Sequence, residues 1–532
     1  MSDAVLPDFV QGLLEPAAYP HLPDAVSLIQ THVSFVWLAG EFVYKAKKPV
    51  NFGFIDQVAP EARERHCHLE VALNRRLAPD VYLDVVPIVR TPDGRFAVEA
   101  DGEVVEWAVK MRRLPDDRTL DRLIEAQQVP WDIGHRVAAK LVAFHAAARV
   151  VDDDPAFAGA EGERNWWARE YSEAESNIGG TWRPDDAATL REFVAATLDR
   201  EAALFDERLA QGRVVEGHGD LHAKHVYVLG PADDQLVIVD CIEFSEWFHF
   251  RYLDVGYDIA FLAMDLEARG ERDMGDEVAG LYLAATADET LGVLQPLHRA
   301  FRAFVRGKVE SIGANDMAIP EGHRRELAAS AARYFELAAK YAARRRSPCV
   351  IVLCGASGTG KSTIAGTLAG RIGAAYVSSD ATRKRLVGMR PQQSGVAEFG
   401  AGLYAPEMRT RTYEEMRRRA QEHLAAGRSV ILDATHGRAT ERGAARLVAQ
   451  EAGVPVLVIS LSLTDDAALA RIEARMSDPL LTSDITPDTY RRQIEEFETP
   501  ATHEGPTLSL NGGLPLSEMI TEIEDALDSL NV

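Results

Sequence analysis

The run Gly355-Ala356-Ser357-Gly358-Thr359-Gly360-Lys361-Ser362 places a lysine and a hydroxyl residue directly after a glycine-rich stretch. Residue types in that order suit the binding of a polyphosphate. Glycines let the main chain come close to a ligand. Successive backbone N–H groups and a helix start present positive potential to phosphate oxygens. Lys361 then reaches the β- and γ-phosphates, and the Ser362 hydroxyl can ligate Mg2+. The apolar run Cys349-Val350-Ile351-Val352-Leu353-Cys354 reads as a buried strand before the loop, and Thr363-Ile364-Ala365-Gly366-Thr367-Leu368 as a helix after it. Strand, loop and helix are the context a P-loop needs, so ATP contacts are expected from Gly355, Ser357, Gly358, Thr359, Gly360, Lys361, Ser362 and Thr363.

A second group of polar residues lies in the first two thirds of the chain. His218-Gly219-Asp220-Leu221-His222 is followed by His225, by the turn Gly230-Pro231-Ala232-Asp233-Asp234, and by a strand ending Val239-Asp240. Acids around a hairpin can serve turns and caps as well as chemistry. Far upstream, Thr31–Leu38 and Phe42–Pro49 are β-rich runs around Ala39-Gly40-Glu41, a hairpin pattern. Lys45 and Lys47 share a face of its second strand because side chains alternate, although a solvated edge strand would carry the same lysines. The helical segment Pro60–Leu77 carries Glu64 and Glu70, and short strands follow near Val81–Val89, Phe96–Glu99 and Val104–Met111.

His-Gly-Asp-Leu-His, a residue five after the Asp, a hairpin, and an Asp closing its second strand resemble the aminoglycoside phosphotransferase-like kinases. Asp240-Cys241-Ile242-Glu243-Phe244 and Asp254-Val255-Gly256-Tyr257-Asp258 extend the likeness over roughly residues 30–340. The resemblance implies a small sheet lobe, a hinge near Met111–Pro115 and a helical lobe. It gives Asp220 the task of orienting an acceptor hydroxyl and taking its proton, and Asp240 that of holding the metal on the phosphates. Lys45 would pair with the phosphates and with Glu70, with Lys47 as its rival. One departure stands out: His225 occupies the place where these kinases carry a metal-binding Asn. An imidazole suits Mn2+ or Zn2+ better than Mg2+, so Mn2+ is the alternative at His225 and Asp240, and a weakly catalytic sensor lobe is the alternative function.

Downstream of the P-loop, Ala374–Ser378 reads as a strand and Ser379-Asp380-Ala381-Thr382-Arg383 as the loop leaving it; Ser429–Leu432 is another strand, ending at Asp433. Strands alternating with helices imply a parallel sheet whose ligands sit at the carboxyl ends of the strands, where Asp380 and Asp433 fall. Asp433 there suits a water-mediated Mg2+ contact. Asp380, Arg383 and Asp433-Ala434-Thr435 resemble small P-loop kinases of the polynucleotide-kinase, gluconate-kinase and zeta-toxin type. In that resemblance Asp380 activates the acceptor hydroxyl and Arg383 holds an acceptor phosphate or the transferring group. Arg471 and Arg475, one turn apart, would act as lid arginines, or stand as exposed arginines near Glu473.

These residues need two folded units to hold them. At 532 residues the chain is too long for one ordinary core. The expected fold class is an N-terminal α+β protein-kinase-like domain over 1–343 and a C-terminal α/β P-loop domain with a parallel sheet over 349–532, with 344–348 as linker. Within the first, the small lobe spans about 30–112 and the helical lobe about 115–343. The order of the units resembles bacterial bifunctional aminoglycoside phosphotransferase/ATP-binding proteins. With 46% hydrophobic and 26% charged residues the composition is globular, and no apolar run reaches a membrane span. Four scattered cysteines and a start without a secretory pattern make a cytoplasmic protein the expectation. A formal charge of −24 opposes non-specific nucleic-acid binding, and the expected acceptor is a small polar hydroxyl compound. A nucleic-acid or nucleotide end kinase remains the rival for the second unit. Arg409, Arg411, Arg417, Arg418 and Arg419 read as a solvated helix face or a phosphate patch.

Overall fold

The computed structural model describes the chain apart from residues 1–5, 54, 152–157, 245–249, 318, 345, 390–392, 394–404, 476–477, 479, 481–484 and 531, and apart from the side chains of Arg475 and Thr502. A short helix, α1 (Asp8–Gly12), precedes a six-stranded antiparallel sheet. Its strands are β1 (Val26–Gln30), β2 (Ser34–Ala39), β3 (Phe42–Lys47), β4 (Tyr82–Arg90), β5 (Phe96–Val98) and β6 (Glu103–Arg112), in the order β1-β2-β3-β6-β4-β5. Val26-Ser27-Leu28-Ile29-Gln30 pairs antiparallel with β2 and forms one edge of the sheet. Gly40, at φ 63°, makes the β2–β3 turn. β3 lies between β2 and β6, so its lysines are not on an edge. Helix α2 (Pro60–Asn74) packs on the sheet through Cys67 and Val71.

The helical lobe contains α3 (Leu120–Glu125), α4 (Ile133–Ala147), α5 (Gly159–Ala174), α6 (Pro184–Arg200) and α7 (Ala202–Ala210), then α8 (Val255–Ala268), α9 (Arg272–Thr286), α10 (Leu291–Asn315) and α11 (Glu321–Ala343). Between α7 and α8 run β7 (Val214–Glu216), the hairpin β8 (Val226–Val228) and β9 (Leu236–Ile238), and β10 (Tyr252–Asp254). β10 pairs antiparallel with β7.

The last third is a parallel sheet of β11 (Val350–Cys354), β12 (Ala375–Ser378), β13 (Val430–Asp433), β14 (Val456–Ser462) and β15 (Thr507–Asn511), in the order β12-β13-β11-β14-β15. All five residues of β11 are buried, as a central parallel strand requires. Around it lie α12 (Lys361–Ile372), α13 (Ser379–Leu386), α14 (Pro406–Ala425), α15 (Ala439–Ala452), α16 (Asp465–Arg475), α17 (Pro487–Glu495) and α18 (Leu516–Ser529). Ser379–Arg383, expected as a loop, is the first turn of α13, entered directly from β12. Among the described residues no helix is long and apolar enough to cross a membrane.

The units on either side of 344–348 share one apolar core: Leu262, Tyr282 and Leu283 pack in the same cluster as Ile351, Ile364 and Leu368. Helix α12 approaches α9 so closely that a Cβ on Gly366 would lie 2.3 Å from the carbonyl oxygen of Gly280. A Cβ on Gly292, at the start of α10, would lie 2.4 Å from the Ala374 carbonyl oxygen. Arg371 of α12 adds an ion pair with Asp276 of α9 at 3.4 Å.

Candidate functional site

Two constellations form, one in each unit. In the first, β3 carries Lys45 to a position where its Nζ meets Glu70 Oε1 at 2.8 Å and Asp240 Oδ1 at 3.1 Å. Lys47, two residues on, is fully buried, donating to Glu70 Oε2 at 2.5 Å and to Glu243. Alternation along β3 puts both lysines under α2, but only Lys45 touches the acid expected to hold a metal. Asp240 follows β9 with φ 69°, a left-handed conformation that costs a non-glycine residue on the order of 1–3 kcal/mol. Its N–H donates to Tyr82 Oη at 3.1 Å, and the Lys45 ammonium holds its carboxyl well below the usual range.

Asp220 lies in the turn between β7 and β8. Gly219 before it has φ 85°, and a Cβ there would lie 2.0 Å from the Phe250 carbonyl oxygen, so this turn admits only glycine. The N–H groups of His218 and Gly219 donate to the Asp258 carboxylate at 2.8 and 2.9 Å, fixing the loop to α8. Burial would raise the Asp220 carboxyl, but His222 and His225 beside it drive it strongly down. His218 is pushed down to about 4 by burial. Ligand atoms of Asp220, His222 and His225 lie within 4.8 Å of one another.

His225 reports on what a cation would meet. Its Nδ1 faces the Asp220 carbonyl oxygen at 2.8 Å, an acceptor, so that nitrogen carries the proton. In the neutral ring the Nε2 lone pair then faces Asp240 Oδ2 at 3.5 Å. Two acceptors facing each other can share a cation, and a ligating histidine donating its other N–H to a carbonyl is the usual second-sphere pattern. The pocket's formal charges agree: Asp220, Asp240, Glu70 and Glu243 against Lys45 and Lys47 leave 2 − 4 = −2.

In the second constellation Gly358 and Gly360 take φ of 82° and 100°, turning the backbone at the start of α12. Lys361 Nζ donates to the Ala356 carbonyl at 2.7 Å. Ser357, Gly358, Gly360, Lys361 and Ser362 line one cleft with Asp380, Arg383 and Asp433, the residues singled out from the sequence, and with Arg409, Tyr413, Gln493 and Glu496. Arg383 Nη1 donates to Asp380 Oδ1 at 2.6 Å. Asp433 is buried at the end of β13, its carboxyl raised by burial, and takes a bond from Tyr376 Oη at 2.8 Å. A hydroxyl at the helix start and a carboxylate at a neighbouring strand end form an all-oxygen set that fits Mg2+.

Not every expected contact lines that cleft. Gly355 is spent on close packing: its N–H donates to Thr435 O at 3.0 Å and a Cβ would lie 2.5 Å from the Leu461 carbonyl oxygen. Thr359 is buried and bonds Ala356 O at 2.9 Å. Thr363 faces a different groove, with Thr367, Arg371 and Asp276, where α12 meets the helical lobe. Arg471 sits over the loop, Nη1 3.5 Å from Gly358 O; the Arg475 side chain lies outside the described residues. Of the arginine cluster, Arg409 lines the cleft, Arg418 is paired with Glu415 and Glu422, and Arg419 with Glu289. Sequence reasoning missed Gln493, whose Oε1 accepts from Ser357 N and Oγ at 3.1 and 2.8 Å, and Tyr376. Neither stands in a motif; only the fold brings α17 and β12 to the loop.

Residues 350–500 match the family model described as an AAA domain. Over 455 residues the chain is 33% identical to the uncharacterized protein Rv2004c of Mycobacterium tuberculosis, covering 85% of this chain and 86% of that one. The same figures hold for the uncharacterized protein Mb2027c of Mycobacterium bovis. Among solved structures, a gluconokinase from Sinorhizobium meliloti is 21% identical and covers 35% of this chain and 95% of its own, with a TM-score of 0.27. A choline/ethanolamine kinase family protein from Mesorhizobium loti is 13% identical and covers 61% and 97%, with a TM-score of 0.34.

Proposed function

The chain belongs to the family of the mycobacterial proteins Rv2004c and Mb2027c, and we propose that it is an ATP-dependent phosphotransferase with two kinase modules, each moving a γ-phosphoryl group to a hydroxyl of a small polar acceptor. The observation that carries this reading is the single cleft that joins Lys361 and Ser362 of the phosphate loop to Asp380, Arg383 and Asp433. Phosphoryl transfer asks a protein mainly to position reactants and neutralise charge, and these side chains are of the types that do both. Asp380 takes the acceptor's proton as the hydroxyl oxygen bonds to the γ-phosphorus. The bond to the β-phosphate bridging oxygen breaks, and ADP leaves with that electron pair. Lys361 and Arg383 offset charge on the transferring group, with Arg471 above the loop. Mg2+, held by Ser362 and through water by Asp433, would neutralise the β- and γ-phosphates.

In the first module Lys45, held by Glu70, meets the phosphates, and Asp220 takes the acceptor proton. Asp240 with His225 would hold the metal, and that mixed nitrogen and oxygen set favours Mn2+ over Mg2+. The −24 charge disfavours a polynucleotide acceptor for either module. The second reading, a P-loop nucleotide or nucleic-acid end kinase governed by a weakly catalytic first lobe, is favoured by His225 and by the shared core between the units.

The test is ATP consumption by the full chain against a panel of sugars, aminoglycosides, nucleosides and oligonucleotides, for wild type, Asp220→Ala and Lys361→Ala. The two-module reading expects each variant to lose a different acceptor-dependent activity. Loss of all turnover in Lys361→Ala with none in Asp220→Ala establishes the second reading instead. Full turnover in both refutes the two.

A further inference from the structure

The loop Ala287-Asp288-Glu289-Thr290 joins α9 to α10 in the helical lobe, far in sequence from either constellation. It is nonetheless built into the edge of the P-loop sheet. The Glu289 carbonyl accepts from the Tyr376 N–H at 2.9 Å, so the loop caps β12, the outermost strand. Its carboxylate is 7% exposed and collects polar side chains from two helices of the other unit: Arg385 of α13 at 3.1 Å, and Arg419 and His423 of α14 at 2.7 and 2.8 Å. Burial raises the Glu289 carboxyl, but the His423 and Arg419 bonds outweigh it and bring it down to about 2.

Those two helices are the ones that furnish the acceptor side of the cleft. α13 carries Asp380 and Arg383, the latter two residues before Arg385; α14 carries Arg409 and Tyr413, upstream of Arg419. β12, which the loop caps, carries Tyr376 and thereby orients Asp433. The neighbouring Asp288 anchors the loop in the opposite direction. It accepts from Arg208 at 2.7 Å, and Arg208 also grips the Asp254 carboxylate at 2.6 and 2.8 Å. Asp254 caps α8, the helix whose Asp258 holds the Asp220 loop. Two adjacent acids thus each serve a different unit.

We propose that Glu289 is a positioning residue for the P-loop site: from the helical lobe it clamps α13 to α14 and so sets where Asp380 and Arg383 stand. This rests on the reading that Asp380 and Arg383 face the acceptor. It makes the P-loop site a product of both units. The hydrogen bonds and ion pairs of Glu289 go to β12, α13 and α14, and among the described residues none goes to α12 or its loop, so positioning predicts a split: turnover suffers and ATP affinity does not. Removing the buried carboxylate leaves Arg385, Arg419 and His423 without their shared partner, and displacement of a catalytic side chain by about 1 Å can cost on the order of a hundredfold in rate.

The test uses the full chain with Asp220→Asn throughout, which silences the first module, and compares Glu289→Gln and Arg385→Ala with that background. Three quantities are read: ATP hydrolysis with water as acceptor, affinity for a fluorescent ATP analogue, and amide hydrogen exchange over 379–386 and 406–425. The expected result for Glu289→Gln is at least a roughly tenfold fall in turnover, analogue affinity within twofold, and faster exchange over 379–386 but not over 361–372. Arg385→Ala removes a side chain that is 45% exposed and only one of the three partners of Glu289, and should speed exchange over 379–386 in the same way. Unchanged turnover and exchange in both variants overturns the proposal. So does a fall in analogue affinity in step with turnover, which would make Glu289 a general stabiliser. Lys361→Ala run in parallel separates the two levels: if it keeps full hydrolysis, the phosphotransfer reading of this cleft fails, while the exchange data still decide whether Glu289 holds α13.

Discussion

Two alanine substitutions on α12, one turn apart, should change stability in opposite directions. Gly366→Ala and Gly370→Ala each replace a helix-interior glycine, and each gains about 1 kcal/mol of helix propensity. They differ in what the new methyl meets. At position 370 the nearest atom is Gln295 Cγ at 3.7 Å, an ordinary van der Waals contact. At position 366 the Cβ would stand 2.3 Å from the Gly280 carbonyl oxygen and 3.0 Å from its carbon. Both sides of that contact are helix backbone, so relief requires α9 and α12 to separate by about 1 Å, opening a core that tolerates little gap. Overpacking of this kind costs roughly 1–3 kcal/mol, and with no side chain able to move, the upper half of that range applies. The net expectation is about 1–2 kcal/mol lost for Gly366→Ala and about 0.5–1 kcal/mol gained for Gly370→Ala. Unfolding entropy scales with length, so each kcal/mol moves the melting temperature of this chain by only about 1 °C. Urea midpoints followed by far-ultraviolet circular dichroism are the better assay. If Gly366→Ala proves as stabilising as Gly370→Ala, α9 and α12 are not in backbone contact and the shared core between the units is wrong.

The two lysines of β3 should separate function from folding: Lys47→Met strands Glu243 and half of Glu70 in the interior and should cost about 3–5 kcal/mol in urea, whereas Lys45→Met should cost less and instead abolish ATP-analogue binding in a Lys361→Ala background. In that same background His225→Asn should lower the preference for Mn2+ over Mg2+ in analogue binding by about tenfold; an unchanged preference would remove His225 from the metal site. Glu163, buried and pushed up to about 7 by desolvation, receives a bond from Tyr257 Oη at 2.7 Å. Because its folded value lies above the ordinary carboxyl range, its contribution to stability is complete below about pH 4.3 and is lost as pH rises through 7, so Glu163→Gln should gain on wild type by about 2–3 kcal/mol between pH 5 and 8. A difference independent of pH would show that Glu163 does not titrate there.

Much of each constellation was legible along the chain because its parts are local. The phosphate loop is eight consecutive residues between a buried strand and a helix, and a glycine-rich turn followed by lysine and serine has one economical use. Asp220 and Asp240 could be picked out because a hairpin of fixed length separates them. The choice between Lys45 and Lys47 could not, since alternation places both on one face; it depended on which of them α2 and the Asp240 turn approach from the far side of the molecule. Thr363 is adjacent to Ser362 in sequence, but a helix turns about 100° per residue and Thr363 lines another groove. Gln493, Tyr376 and Glu289 have no sequence signature, because a hydrogen bond across 57 to 136 residues leaves no periodicity to read. The same holds for the way the two units meet. Local patterns specify the elements of two units and the residues on their surfaces. Whether those surfaces are solvent or interface is decided only when Gly280 meets Gly366 and Asp288-Glu289 reaches across, since burial is a property of what packs against a face and not of the face itself.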